Sequence, residues 1–224
     1  MANSSSTSFG IYELFRIVVP GFYFATLTLF LYRSYLQHYL PLSATPLLTA
    51  LLFLFVVIVA GFTLYAQETA KRRKAFVENQ PSRFLSDKAR TMKNMPLLDE
   101  TISRKLYFYI LNTLMPPVFH EKIFFFGTVY HIMTSIRRTS FWFALLATGA
   151  VAFEASRNTP LVEQQALLLF TISVWLIYLL NVRYNKADRK MQENYQDQIF
   201  WLQMNSDQVE AILRRFRAIS TPER

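Results

Sequence analysis

Three histidines, five glycines and no cysteine limit the chemistry open to this 224-residue chain. His120 precedes Glu121, but Lys122-Ile123-Phe124 follow, so the H-E-x-x-H spacing that puts two imidazoles and a carboxylate around zinc is missing. Without cysteine there are no thiolate ligands, disulfides, thiol nucleophiles or lipidated N-terminal cysteine. No G-x-S-x-G elbow occurs, and Gly10, Gly21, Gly61, Gly127 and Gly149 lie too far apart for a phosphate-cradling loop. A lipid-modifying enzyme would have to draw on Asp99, Glu100, His120, Glu121 and His131 near a membrane surface. His131, on a narrow polar stripe, reads as a structural histidine. The expectation is therefore a protein without catalytic residues, metal or cofactor.

The elements that carry these residues are greasy. The chain is 52% hydrophobic and 16% aromatic but only 17% charged, whereas soluble domains sit near ~25% charged. Four windows are almost free of charge. Ile17–Tyr32 lies between Arg16 and Arg33, Leu47–Ala66 follows Pro46, Ala166–Val182 ends at Arg183, and Thr139–Phe153 follows Arg137-Arg138. In lipid a helix satisfies all its own backbone groups, and a span takes about 20 residues. The spacing predicts an all-α membrane bundle of four spans, at about 14–36, 47–66, 139–155 and 164–182. The organisation expected is residues 1–66 with the first two spans, a basic insert at 67–138, residues 139–182 with the last two spans, and a helical extension at 183–224.

Charge sets the expected orientation. Between the second and third windows stand thirteen Lys/Arg against six Asp/Glu, and after the fourth eight against six; the remaining charges cancel. Basic clusters at span ends mark the cytoplasmic face. Lys71, Arg72, Arg73, Lys74, Arg137 and Arg138 are the candidate topology and lipid-headgroup residues, placing both termini and the insert inside a cell membrane, by expectation a bacterial inner membrane. The loops around Tyr35–Pro46 and Glu154–Gln164 fall outside. Residues 1–15 hold no Lys or Arg and no small-x-small cleavage site follows, so the first span is expected to stay as an anchor. The positive-inside rule accounts for the basic insert, and nucleic acid is not an expected partner.

Local signals divide the polar parts. Helix should continue past the second span until Gln80-Pro81. Ser82–Pro96 reads as a short helix or loop. Asp99 caps a helix over Glu100–Leu114 with Ile102, Leu106, Tyr109 and Thr113 on one face, closed by Met115-Pro116-Pro117. Glu121, Thr128, His131, Ser135 and Arg138 share a polar stripe on an otherwise apolar Ile123–Ile136, expected to run along the interface into the third span; the alternative is a re-entrant pair formed with 106–119. No Gly or Pro occurs from Leu161 to Pro222, so the fourth span is expected to continue as one rod through Gln203. Asn205 and Gln208 form an approximate capping box for a last amphipathic helix.

Two sets of residues point to association. Gly21, Ala25 and Thr28 on the first span, and Ala144, Thr148 and Ala152 on the third, are small faces of the kind that let helices approach in lipid. Val209, Ile212, Leu213, Phe216 and Ile219 make a clean apolar stripe that must pack on the insert, another subunit or the lipid surface, and the first four are the expected partner or subunit contacts. Glu13 and Arg16 are spaced to pair at the start of the first span, and no ionisable group is expected inside spans two to four. The bare layout is similar to that of bacterial inner-membrane effectors of phage defence and of membrane subunits of larger complexes, with no motif behind the likeness. It implies a homo-oligomeric membrane effector or pore-like subunit, regulated through cytoplasmic helices, or an anchor or sensor that docks a cytosolic protein.

Overall fold

The computed structural model describes residues 5–32, 46–76, 80–92, 97–157, 160 and 164–220. His38 and most of the two expected external loops lie outside them, and for Lys71–Lys74 only the helical backbone is described. The described residues form helices: α1 (Ser5–Leu31), α2 (Pro46–Ala75), α3 (Pro81–Thr91), α4 (Glu100–Thr113), α5 (Pro117–Ser156), α6 (Gln165–Tyr184), α7 (Ala187–Met204) and α8 (Ser206–Ser220). Three helical stretches are long and apolar enough to cross a membrane: Gly10–Leu31, Leu47–Thr69 and the stretch starting at Gln165. The fourth window, Thr139–Phe153, lies within the 40-residue α5, which is not among those three.

Punctuation residues set most boundaries. Asp99 stands in extended conformation and its carboxylate accepts from Ile102 N–H at 2.6 Å, capping α4 as its sequence position suggests. Pro81 and Pro117 open α3 and α5, where the missing N–H costs nothing. The run after the fourth window is a correction. The chain breaks at Asn185-Lys186, so α6 and α7 are separate helices rather than one rod. Asn185 donates to Asn181 Oδ1 at 2.9 Å and accepts from Ala187 N–H at 2.8 Å, offering the backbone an exit that needs neither Gly nor Pro. Asn205 likewise directs its amide N–H back to the Trp201 carbonyl at 2.9 Å, so it ends α7.

The helices gather into two compact units: Met1–Lys71 with Thr128–Ala187, and Arg72–Gly127 with Asp188–Arg224. The second is an ordinary helical core in which Leu85, Ala89, Leu106, Ile110, Leu111, Leu202, Val209 and Leu213 are buried together. The buried face of α4 carries Ser103, Leu106, Tyr107, Ile110 and Leu111, whereas Tyr109 and Thr113 are exposed. The expected face was rotated because apolar residues surround α4 almost completely, leaving its periodicity undecided.

In the first unit α1 and α2 cross at two glycines. A Cβ on Gly21 would run into the Val57 carbonyl and meet Gly61 Cα at 3.0 Å; one on Gly61 would run into the Ile17 carbonyl. A second contact joins Leu27 of α1, Phe143, Ala144 and Ala147 of α5, and Phe170 and Val174 of α6. Gly21, Ala25 and Ala144 are buried and Thr28 is half-buried, and Gly21 lies against α2. Thr148 is largely exposed and accepts from Trp175 Nε1 at 3.0 Å, and Ala152 is exposed.

Candidate functional site: a buried polar seam in the apolar unit

Through the first unit runs a line of polar side chains supplied mainly by one face of α5. Thr128, His131, Ser135 and Thr139 recur at helical spacing and are all buried, as are Thr134 and Ser140 beside them. The stripe foreseen on this segment thus turns inward, toward α1 and α2. Of its expected members only Glu121 is exposed.

α1 meets the seam at Arg16, which is itself buried. Its Nη1 donates to Glu13 Oε1 at 2.5 Å, the expected pair, and its Nε donates to Thr128 Oγ1 at 3.1 Å. About two turns further along α1, Tyr23 Oη and Ser140 Oγ share a hydrogen bond of 2.7 Å. From α2, Tyr65 lays its ring 5.3 Å from that of His131. Glu68, only 4% exposed, receives Arg138 Nη1 at 3.2 Å. Glu13 and Arg16 fall within the apolar stretch Gly10–Leu31, and Glu68 within Leu47–Thr69. The candidate stretch Leu47–Thr69 runs three residues past the expected Leu47–Ala66, which itself holds no ionisable group, and so takes in Glu68.

Beside the seam, α1, α2 and α5 enclose a groove of about 440 Å³. Its walls are Phe55, Val59, Ala60 and Trp142, and at one end stand Gln67 and Arg138. Arg138 thus serves both features.

The second unit holds a smaller polar cluster. Tyr107 Oη donates to Gln198 Oε1 at 2.5 Å, and Asn194, one turn before Gln198 on α7, is also buried. Both polar atoms of the Asn194 amide lack a hydrogen-bond partner among the described residues. Burial, helped by the nearby Tyr195, raises the Tyr107 hydroxyl well above its ordinary 10.0. On the surface, Lys88 of α3 donates to Ser206 Oγ at 2.6 Å and lies 3.0 Å from Glu210 Oε1 of α8. The hydrogen bond from Lys88 to Glu210, and then the charge of Lys88, hold the Glu210 carboxyl below its usual range.

Of the residues a lipid-modifying site would draw on, Glu121 is exposed. Asp99 caps α4, Glu100 pairs with Arg104, His120 Nε2 lies 2.8 Å from the Leu111 carbonyl, and His131 is enclosed in the seam. Among the described residues no three acidic or histidine side chains gather to hold a metal. The C-terminal stripe packs on the second unit's own core. Val209 and Leu213 are buried in the core of the second unit, with Ile212 and Phe216 packed against it, and Ile219 is exposed. The stripe is covered by α3 and α4 of the same chain. Sequence reasoning missed Gly61, Glu68 and Tyr65, because each matters only through a residue far away in the chain. No family model, curated protein or solved structure matches this chain.

Proposed function

We propose that the chain is a non-enzymatic, four-span inner-membrane protein with both termini and the second unit in the cytoplasm, acting as a subunit of a homo-oligomeric, pore-like effector. The fourth span is the Thr139–Phe153 part of α5. The observation that carries this reading is the seam: two ion pairs, Glu13–Arg16 and Glu68–Arg138, and a file of hydroxyls within an otherwise apolar unit. Ionisable groups at membrane depth are expensive and mark polar pathways. Well-packed apolar side chains would hold such a bundle at least as firmly as buried ion pairs do. A polar layer at the inner ends of α1 and α2 suits a path that is dry when closed and wetted when opened by the cytoplasmic helices.

Dye-loaded liposomes test it. The wild-type protein is expected to release dye, and a variant with Thr128→Val, His131→Leu and Ser135→Ala to float with the vesicles but release none. Tight vesicles with the wild type, or equal release by both, would refute the pore. A second reading would then stand, an anchor that docks a cytosolic protein, and one feature favours it already: the second unit closes its own core with α8, as a self-contained docking module would.

A further inference from the structure

We infer that the groove between α1, α2 and α5 binds one acyl chain of an anionic phospholipid from the cytoplasmic leaflet, with the lipid phosphate at Arg138. The inference rests on the membrane reading above and names a ligand for that unit.

The shape argues for a chain. From Gln67 to Phe55 the groove follows twelve residues of α2, or about 18 Å at ~1.5 Å per residue. One leaflet of a ~30 Å hydrocarbon core is about 15 Å deep. The walls are aliphatic and aromatic from Phe55 to Ala60, and Thr63, Gln67, Arg138 and Thr139 bring polar groups toward the other end. A free anion would use the polar end and leave the apolar length without purpose. A lipid uses both.

The charge argues for an anionic headgroup. Arg138 gives Nη1 to Glu68, while a guanidinium carries five N–H donors in a planar fork suited to phosphate. Arg138 itself lines the groove, beside Gln67. The orientation agrees, since the polar end lies where α2 approaches Lys71–Lys74, the side of the bilayer that carries anionic lipid. Arg138 is then shared between an internal carboxylate and an external phosphate, which makes the lipid a clamp on the contact between α2 and α5.

Trp142 in the groove wall is the reporter. The protein, carrying Trp175→Phe so that a single indole faces the hydrocarbon, is reconstituted in phosphatidylcholine vesicles. A small fraction of either phosphatidylglycerol or phosphatidylcholine with brominated acyl chains is then added. The expected result is quenching by brominated phosphatidylglycerol that saturates at low mole fraction, with about fivefold preference over the choline lipid, equivalent to ~1 kcal/mol for one basic contact. The double variant Glu68→Gln/Arg138→Gln, which removes both charges together, is expected to lose the preference. Ala60→Phe, which fills the groove, is expected to lose the saturable component. Quenching that rises linearly with mole fraction and equally for both lipids would overturn the proposal, because Trp142 would then be meeting only bulk lipid. Protein that fails to float with the vesicles would instead overturn the membrane reading on which it rests.

Discussion

Replacing Gly61 by alanine sets two known effects against each other. Alanine in place of glycine stabilises a helix by ~1 kcal/mol through lost unfolded-state freedom. At Gly61 the new methyl would run into the Ile17 carbonyl, 3.0 Å from its carbon and 2.9 Å from the Ile17 Cγ2. Contacts that short do not persist, and the obstruction is mainly backbone, so no rotamer change relieves it. α1 and α2 must separate, losing contacts along the whole crossing. Overpacking of this kind costs roughly 1–3 kcal/mol. Gly149 supplies the control, since a Cβ there meets nothing within 4 Å. Gly149→Ala is therefore expected to stabilise the first unit slightly and Gly61→Ala to weaken it, with about 2 kcal/mol or more between them, some 30-fold in the unfolding equilibrium. Titration of helicity by far-ultraviolet circular dichroism in mixed micelles with rising sodium dodecyl sulfate would measure the gap. If Gly61→Ala is as resistant as Gly149→Ala, the close crossing of α1 on α2 is wrong.

The second unit gives two further expectations. Leu213 is 0% exposed among Leu85, Ile110 and Leu202, so Leu213→Ala should cost ~3–5 kcal/mol; amide exchange should rise throughout α3, α4 and α8 while α1 and α2 keep their protection, and a change confined to α8 would contradict the shared core. Tyr107 keeps its proton in the folded state above its ordinary 10.0, whereas the unfolded chain releases it there. The Tyr107 contribution to the stability of this unit should be constant below pH 10, and above it stability should fall by up to ~1.4 kcal/mol per unit until the folded-state pKa is reached. Trp201 fluorescence during denaturation should show that slope, and Tyr107→Phe should remove it.

Where a feature depends on neighbouring residues, the sequence was enough. Asp99 three residues before Ile102, and proline at 81 and 117, mark helix starts that the backbone then follows. The apolar windows are legible because composition alone decides whether a helix can lie in lipid. Legibility ends where a residue acts through distant ones. Gly21 is visible as a small residue, but nothing in its neighbourhood says that Gly61 lies against it. The break at Asn185 shows the same limit at short range, since an asparagine in a glycine-free run is helical or not according to where its amide finds a partner. Likewise, the stripe on α8 required a cover, and three were open to it. The core of the second unit shows which one the chain uses.

Arg138 joins two of these lines of reasoning. As half of Arg137-Arg138 it belongs to the charge expected to orient the chain, yet its guanidinium also reaches Glu68, seventy residues earlier. A charge that only sets topology can be moved to a neighbouring position without consequence. One that also neutralises a buried carboxylate cannot, because Glu68 would then be left in the apolar unit without the pairing that makes its charge tolerable there. Inverting the sign of position 138 therefore disturbs packing and orientation together, and a misfolded product would say nothing about topology. Position 137 shares the sequence context and is the place where inversion by glutamate reads orientation apart from the Glu68 contact.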